Sequence, residues 1–499
     1  MADEAMPEVK PARTPSRGRL RTWLFGAILT LFVLGTAMAW VFASPVGGSP
    51  DEDYHMGSIW CPRPADGSCQ VRDINGIEKV SVPVPVARGV SCTRFEPGVS
   101  AGCTIPAAND VETYSARYDD GRYPHLYYRT QHALVGHFVP TSVVLMRTLN
   151  AVIATGVLGA IGALLRREHR TAYALAMLGS WVPMGIYFIT SINPTSWSIV
   201  GVFAYAAALF GSLTTEGRRR WVLLALAGVG AVLAAGSRAD AAFYLAVVSV
   251  AMAAAVPKER KDVPQWAMAG VASLIGVVSA LLRLSHGVQS EAMGEASNRV
   301  VLLGKTIVDL PRFFAGLVGV EFGPGWFDVP VEAGLQYLAM VLSFVVVLAG
   351  LRRGNRRTWL SAGIVALAMA AIPTIMVVSG NFATLGDYQP RYILPLFAVL
   401  IFLLLALQKG VPLSRAQLIV YGGGIVFVQT FYLHSVLWRY VMGASGHRPL
   451  NLDWNVQWWW DMPLTPTMMW AIGTVCFTGV VALTLWWVGR AADREAITR

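Results

Sequence analysis

Directly after the first apolar run stands Ser49-Pro50-Asp51-Glu52-Asp53-Tyr54-His55. Three consecutive carboxylates and a histidine stand together, and a carboxylate so placed can serve as a general base. At a membrane surface, burial and mutual repulsion are expected to raise a carboxylate pKa toward the range useful to a base. The plainer reading is a solvated acidic loop that sets topology. It is the weaker one, because acidic residues contribute little to orientation and Pro50 fixes the cluster against the helix end. Adjacent carboxylates can also hold Mg²⁺ or Ca²⁺, so a divalent cation on Asp51, Glu52 and Asp53 stays open, although the pattern requires no cofactor.

Further polar groups fall at the ends of other apolar runs. Asn193-Pro194-Thr195, Ser237-Arg238-Ala239-Asp240, and Asp387 with Gln389-Pro390-Arg391-Tyr392 each occupy a short turn, and Arg147 lies inside the second run. Charges at such depth are costly and face a cavity or a partner. The bland alternatives are an Arg238–Asp240 ion pair that closes its turn and an Arg147 that snorkels to the interface. Taken together, arginines and carboxylates on one membrane face suit an anionic head group, because guanidinium forks onto phosphate oxygens. Arg299, Lys305 and Arg312 interleave with apolar residues, which predicts an amphipathic helix in the interface that either guides a lipid phosphate or packs as a lid. Trp454, Trp458, Trp459 and Trp460 read as an aromatic belt, with sugar stacking as the alternative.

The elements that must position these groups follow from composition. The 499 residues are 55% hydrophobic and 14% charged, against about 25% charged in a soluble domain. A soluble enzyme and a disordered chain are excluded. Twelve runs approach the ~20 apolar residues that a spanning helix needs: roughly 22–43, 139–165, 172–191, 196–214, 220–236, 239–256, 264–284, 332–351, 358–379, 391–407, 417–438 and 466–488. The expected fold is an all-α polytopic membrane protein of about twelve transmembrane helices. Its expected divisions are a disordered cytoplasmic tail (1–20), the first helix (21–43), an extracytoplasmic loop with the acidic motif and cysteines (44–138), helices 2–7 (139–284), a second long loop (285–331), helices 8–11 (332–438), a third loop (439–465), the last helix (466–488) and a tail (489–499). With the amino terminus inside, the inner segments carry 23 Lys and Arg against 9 acids. The net charge of +10 is then an orientation signal and not a nucleic-acid footprint. Both termini are expected in the cytoplasm, and the polar clusters outside.

Cys61, Cys69, Cys92 and Cys103 share the first outer loop, where an even number on the oxidising side fits two disulfides. Three pairings are open, and the spacings favour Cys61–Cys69 and Cys92–Cys103. Cys476 reads as an apolar filler. The sequence has no P-loop, dinucleotide fingerprint, HExxH or GxSxG on a soluble domain. Energy for chemistry outside would therefore arrive in a lipid-linked donor.

This layout resembles the GT-C superfamily of integral-membrane glycosyltransferases, which place a catalytic carboxylate in a long first outer loop. It is more closely similar to the bacterial membrane-protein family called domain of unknown function 2142. The shared motifs are Pro50-Asp51-Glu52 with His55, Tyr123-Pro124-His125-Leu126-Tyr127, Asn193-Pro194, and Pro390-Arg391-Tyr392-Ile393-Leu394-Pro395. Pro390 stands where that family usually has Gly, Thr195 where Asp is expected, and Arg238 where Lys is common. The resemblance implies Asp51 as general base, Glu52 as the alternate, and His55 as the residue that orients base or acceptor. It further implies Arg238, Arg391, Tyr392 and Lys305 around a donor phosphate, with Tyr54, Asn193, Asp240 and Asp387 toward substrate. The implied donor is a polyprenyl-phosphate-linked sugar and the implied acceptor an envelope glycan or glycolipid, with membrane lipid around them and no nucleic acid. Two readings compete. A lipid-linked-sugar transporter or flippase is disfavoured by polar groups at the outer face rather than the midplane. A glycan polymerase or ligase would use Arg439, His447 and Arg448 of the late loop.

Overall fold

The computed structural model describes residues 17–63, 67, 69–104, 111–119, 121–285, 299–408, 413–446, 448–454 and 456–497. Most of the amino tail and His447 lie outside them. Each of the twelve apolar runs is helical, as expected where only an internally hydrogen-bonded backbone is tolerated in hydrocarbon. The first part of the chain holds α1 (Arg17–Phe42), α2 (Glu52–Trp60), α3 (Val84–Arg88) and α4 (His125–His132). The central part holds α5 (Val139–Leu164), α6 (Arg167–Trp181), α7 (Met184–Ile189), α8 (Thr195–Thr214), α9 (Arg218–Ala235), α10 (Ala239–Ala255) and α11 (Val263–Ser285). The last part holds α12 (Arg299–Ala315), α13 (Ala333–Leu351), α14 (Arg356–Val378), α15 (Leu385–Tyr388), α16 (Leu394–Ala406), α17 (Arg415–Met442) and α18 (Pro466–Ile497).

Eight helices among the described residues are long and apolar enough to cross a membrane: α1, α5, α8, α11, α13, α14, α17 and α18. Two shorter apolar helices, α10 and α16, pack among them. The run expected at 172–191 is two helices, α6 and α7. Pro183 brings no N–H to the ladder and disfavours helix at Val182. Nearly every residue of α8 is buried, and it packs on α5, α9, α10 and α16, which makes it the centre of the bundle. Outward faces carry exposed Leu274, Leu281, Leu348, Leu367, Ile375, Ile419 and Val475. Large apolar side chains exposed in such number on long helices mark a lipid-facing surface. The architecture is that of a polytopic helical membrane protein.

The first loop corrects the all-α expectation. Strands β1 (Val71–Ile74), β2 (Ile77–Pro83) and β3 (Glu112–Ser115) form an antiparallel sheet in that order. Ile74 pairs with Ile77 across Asn75-Gly76, both at positive φ (60° and 76°). A two-residue turn of this kind needs φ > 0 at both positions, which Asn and Gly adopt readily. Disulfides Cys61–Cys69 and Cys92–Cys103 close the loop in the expected pairing.

The loop is fastened to the bundle by Arg439 of α17. Its fully buried guanidinium donates to the carbonyls of Thr93, Glu96 and Val99 at 2.6, 3.0 and 2.7 Å, and to Asp328 at 2.7 Å. The expected amphipathic segment is α12, which buries Thr306 and Phe313 and exposes Val300, Val301, Ile307 and Val308.

Candidate functional site

The acidic motif opens α2, and its three carboxylates each meet arginine. Glu52 is fully buried. Its Oε1 accepts from Arg147 Nε (2.9 Å) and the Ile192 amide (3.1 Å); its Oε2 accepts from Arg147 Nη2 (2.6 Å) and the Ser49 amide (3.3 Å). Arg147 sends its remaining donors to the carbonyls of Val41 (2.9 Å), Ser44 (2.8 Å) and Pro45 (2.8 Å). A guanidinium has five N–H donors and a carboxylate about four acceptor positions, so this pair is saturated. Arg147 is not a snorkelling residue; it fixes the turn between α1 and α2.

Other bonds hold the same turn. Trp326 donates to the Gly47 carbonyl (3.1 Å), Tyr440 to the Gly48 carbonyl (2.5 Å), and Asn193 Nδ2 to the Pro50 carbonyl (3.1 Å). Asn193 is thus a clamp on the residue that precedes Asp51. At the far side of α2, a Cβ on Gly57 would sit 2.4 Å from the Arg117 carbonyl. Only glycine permits the close approach that brings the Arg117 segment onto the motif.

Asp53 is buried and accepts from Arg117 Nε (2.6 Å) and Nη2 (3.0 Å), with Arg94 at 3.4 Å. Asp51 differs from both neighbours. Its side chain is 35% exposed, and its backbone is left-handed at φ 59°. Arg391 Nη2 meets Oδ2 at 2.5 Å, and Arg117 Nη2 lies 3.6 Å from Oδ1. Burial works to raise the Asp51 pKa, but the charge and hydrogen bond of Arg391, with the charge of Arg117, outweigh it and hold the carboxyl below its ordinary value. This reverses the expectation of a raised pKa: the arginines around the motif, rather than repulsion within it, set the sign.

His55 is buried, with Nδ1 2.9 Å from the Tyr128 hydroxyl and its ring edge-on to Tyr54 and Tyr123. Burial, reinforced by Arg238, Arg391 and Arg117 and opposed by Asp51, lowers its pKa to about 3. The imidazole is neutral. Tyr54 sits beside it and donates to Asp119 (3.3 Å).

Arg391 is 5% exposed and comes from the turn between α15 and α16, where Gln389 is also left-handed at φ 65°. Two non-glycine residues at positive φ therefore flank the Asp51–Arg391 pair, a kind of strain that concentrates at functional sites. Nε and Nη1 of Arg391 are buried and find no hydrogen-bond partner among the described residues, and the same holds for Oε1 of Gln389. Beside them runs a small apolar pocket lined by Met184, Phe188, Leu317, Phe322 and Leu394. Arg238, at the start of α10, makes the anticipated bidentate pair with Asp240 (2.9 and 2.8 Å). It also stacks 4.1 Å above the Tyr392 ring and 5.7 Å from that of Tyr123.

The structure thus gathers Asp51, His55, Tyr54, Arg238, Asp240, Arg391 and Tyr392, with Glu52 and Asn193 as their buried supports. It does not bring in two of the expected residues. Asp387 caps α15 through Thr384 (2.9 and 2.8 Å), and Lys305 is exposed on α12 and makes none of the cluster's contacts. Nor do the carboxylates fit a shared divalent cation. Each is engaged by arginine, with Arg117 reaching both Asp51 and Asp53, and no group of three His, Cys, Asp or Glu among the described residues is placed to hold a metal. Sequence reasoning missed Arg117, Arg94 and Tyr128. They reach the motif from 41 to 73 residues away along the chain, and no local pattern marks them.

Chemically, the arrangement offers a half-open carboxylate, a neutral histidine and a buried guanidinium with spare donors beside an apolar pocket. No curated protein and no solved structure matches this chain. A family profile described as "Predicted membrane protein (DUF2142)" matches residues 32–401, so the chain belongs to the membrane-protein family of domain of unknown function 2142.

Proposed function

We propose that the protein is a GT-C-type, inverting glycosyltransferase that moves a sugar from a polyprenyl-phosphate-linked donor to an envelope glycan or glycolipid. In this reading twelve helices span the membrane with both termini in the cytoplasm, and the Asp51 cluster is extracytoplasmic. The observation that carries it is Arg391: a buried guanidinium whose Nε and Nη1 find no partner among the described residues, beside a half-open carboxylate, is the donor set that a phosphate takes up. Asp51 is the member of the acidic trio whose carboxylate is half-open to an acceptor.

Asp51 takes the proton from the acceptor hydroxyl as its oxygen bonds to the anomeric carbon. The carbon–oxygen bond to phosphate breaks, and its electron pair leaves with polyprenyl phosphate, held by Arg391 and the stacked Arg238. A phosphate that engages Arg391 draws it from Asp51. Burial then acts on the carboxylate with less opposing charge, and its basicity rises when donor is present. Tyr54, Tyr123 and Tyr392 surround the reacting region with rings on which a sugar can stack.

The test uses purified protein in lipid vesicles with a labelled polyprenyl-phosphate sugar, alongside the envelope glycan profile of cells. Native protein should lose donor label to acceptor, and Asp51→Asn at equal abundance should not, with one sugar linkage missing from the envelope. Unchanged transfer by folded Asp51→Asn protein would refute the assignment.

A further inference from the structure

We infer that the end of the bundle opposite Asp51 holds an anionic phospholipid, its phosphate on Arg166 and Arg357 and its chains along an apolar floor. The Asp51 cluster sits at the starts of α8, α10 and α16: the Ile192 amide binds Glu52, Arg238 precedes α10, and Arg391 precedes α16. A cavity of about 590 Å³ opens where the same three helices end. The 20 residues of α8 separate the two sites by about 30 Å at 1.5 Å per residue, the thickness of a hydrocarbon core.

The lining of this cavity is divided in character. Phe210 from α8, Val256 after α10 and Leu407 after α16 form an apolar floor, while Arg166 and Arg357 stand at the rim with His169 between the helix ends. One carboxylate, Glu168, lies in the lining, and its pair with Arg166 (3.1 Å) is exposed on both sides. Exposed pairs of this kind are weak, so a phosphate oxygen can take the place of Glu168. Arg166 is already aimed by its bond to the Thr214 carbonyl (2.8 Å). Cations above an apolar floor at membrane depth complement an amphiphile with an anionic head, whereas a soluble anion would leave the floor uncovered. Basic residues are ordinary on a cytoplasmic rim; the cavity is what makes two of them a site.

The experiment is native mass spectrometry of the full chain released from micelles that contain phosphatidylglycerol or phosphatidylcholine. One phosphatidylglycerol should remain bound where phosphatidylcholine is stripped, and Arg166→Gln with Arg357→Gln should weaken its retention at least tenfold. The double Lys variant should keep most of it. Arg352→Gln with Arg353→Gln, on the same face and outside the cavity lining, should change nothing. Equal retention of both lipids, a loss matched by the Arg352 and Arg353 variant, or displacement by millimolar inorganic phosphate would each overturn the inference. Thermal unfolding of every variant reports its fold, and the Lys variant keeps the test decisive if the Gln variant unfolds. Because no sugar transfer is read, the outcome is separate from that of the Asp51 assignment.

Discussion

Two carboxylates one residue apart, each paired with a buried arginine, have opposite character. Glu52 and Arg147 spend every donor and acceptor position on each other and on backbone, with no access to water. Asp51 and Arg391 share one contact, leave two guanidinium nitrogens without a partner among the described residues, and keep a third of the carboxylate exposed. A saturated ion pair cannot exchange partners without breaking several bonds together. An unsaturated one can, and so it is the pair suited to chemistry. The motif uses one acid to build the turn and leaves its neighbour open.

This contrast is broken most severely at its sealed half. Arg147→Met leaves a buried, unpaired Glu52, which costs about 3–5 kcal/mol. Most of the protein should then be lost to aggregation, read as the monodisperse fraction after extraction. Replacing both partners, Arg147→Met with Glu52→Leu, removes the stranded charge and should recover much of that loss. If the double variant is no better folded than the single, the Glu52 charge is not what the single variant leaves stranded.

The open half should behave in the reverse way. Asp51→Asn should leave the unfolding temperature close to that of native protein while slowing transfer by about 10²–10⁴-fold, the usual weight of a general base. Arg391→Lys keeps the charge and loses the fork. Donor KM should rise by about tenfold or more, with a smaller change in kcat, since a point charge replaces a planar donor set. Equal losses for Asp51→Asn and Glu52→Gln in both folding and activity would erase the distinction between the two pairs.

How much of this was legible beforehand depends on the range of the interaction. That the apolar runs are helical was, because an apolar run of sufficient length carries its own reason to be helical, although eight and not twelve of the described helices are long and apolar enough to cross a membrane. The disulfide pairing was legible from short spacings. The sheet was missed although Val71-Arg72-Asp73-Ile74-Asn75-Gly76-Ile77-Glu78-Lys79-Val80 contains an Asn-Gly turn between strand-like segments, among the strongest local hairpin signals. That the acidic motif, Arg238 and Arg391 belong to one cluster was legible, but the different settings of its carboxylates were not. Whether a carboxylate is sealed or open depends on arginines 64, 95 and 340 residues away, and sequence order places none of them. The pKa error has the same origin: adjacency suggested repulsion among acids, and the fold put a cation beside each one.

The smallest effect concerns His55, which lies beside the open half. Its native pKa near 3 is far below the ~6.5 of an unfolded histidine. Between these values the unfolded chain binds a proton that the folded chain does not, so stability must fall as pH is lowered from about 6.5 toward 3. Asp51 adds little in most of that window, because a depressed carboxylate pKa removes stability only as pH falls through the ordinary aspartate value of about 3.9. His55→Gln keeps a polar group near Tyr128 and removes the titration. Relative to pH 8, native protein should lose about 1 kcal/mol more than the variant at pH 6 and about 2 kcal/mol more at pH 5. Parallel curves for the two proteins from pH 8 to pH 5 would mean that His55 takes up its proton in the fold as readily as in the unfolded chain. A cationic His55 would place a third positive charge beside Arg391 and Arg238, and Asp51 would then be bound too firmly to serve as the open partner.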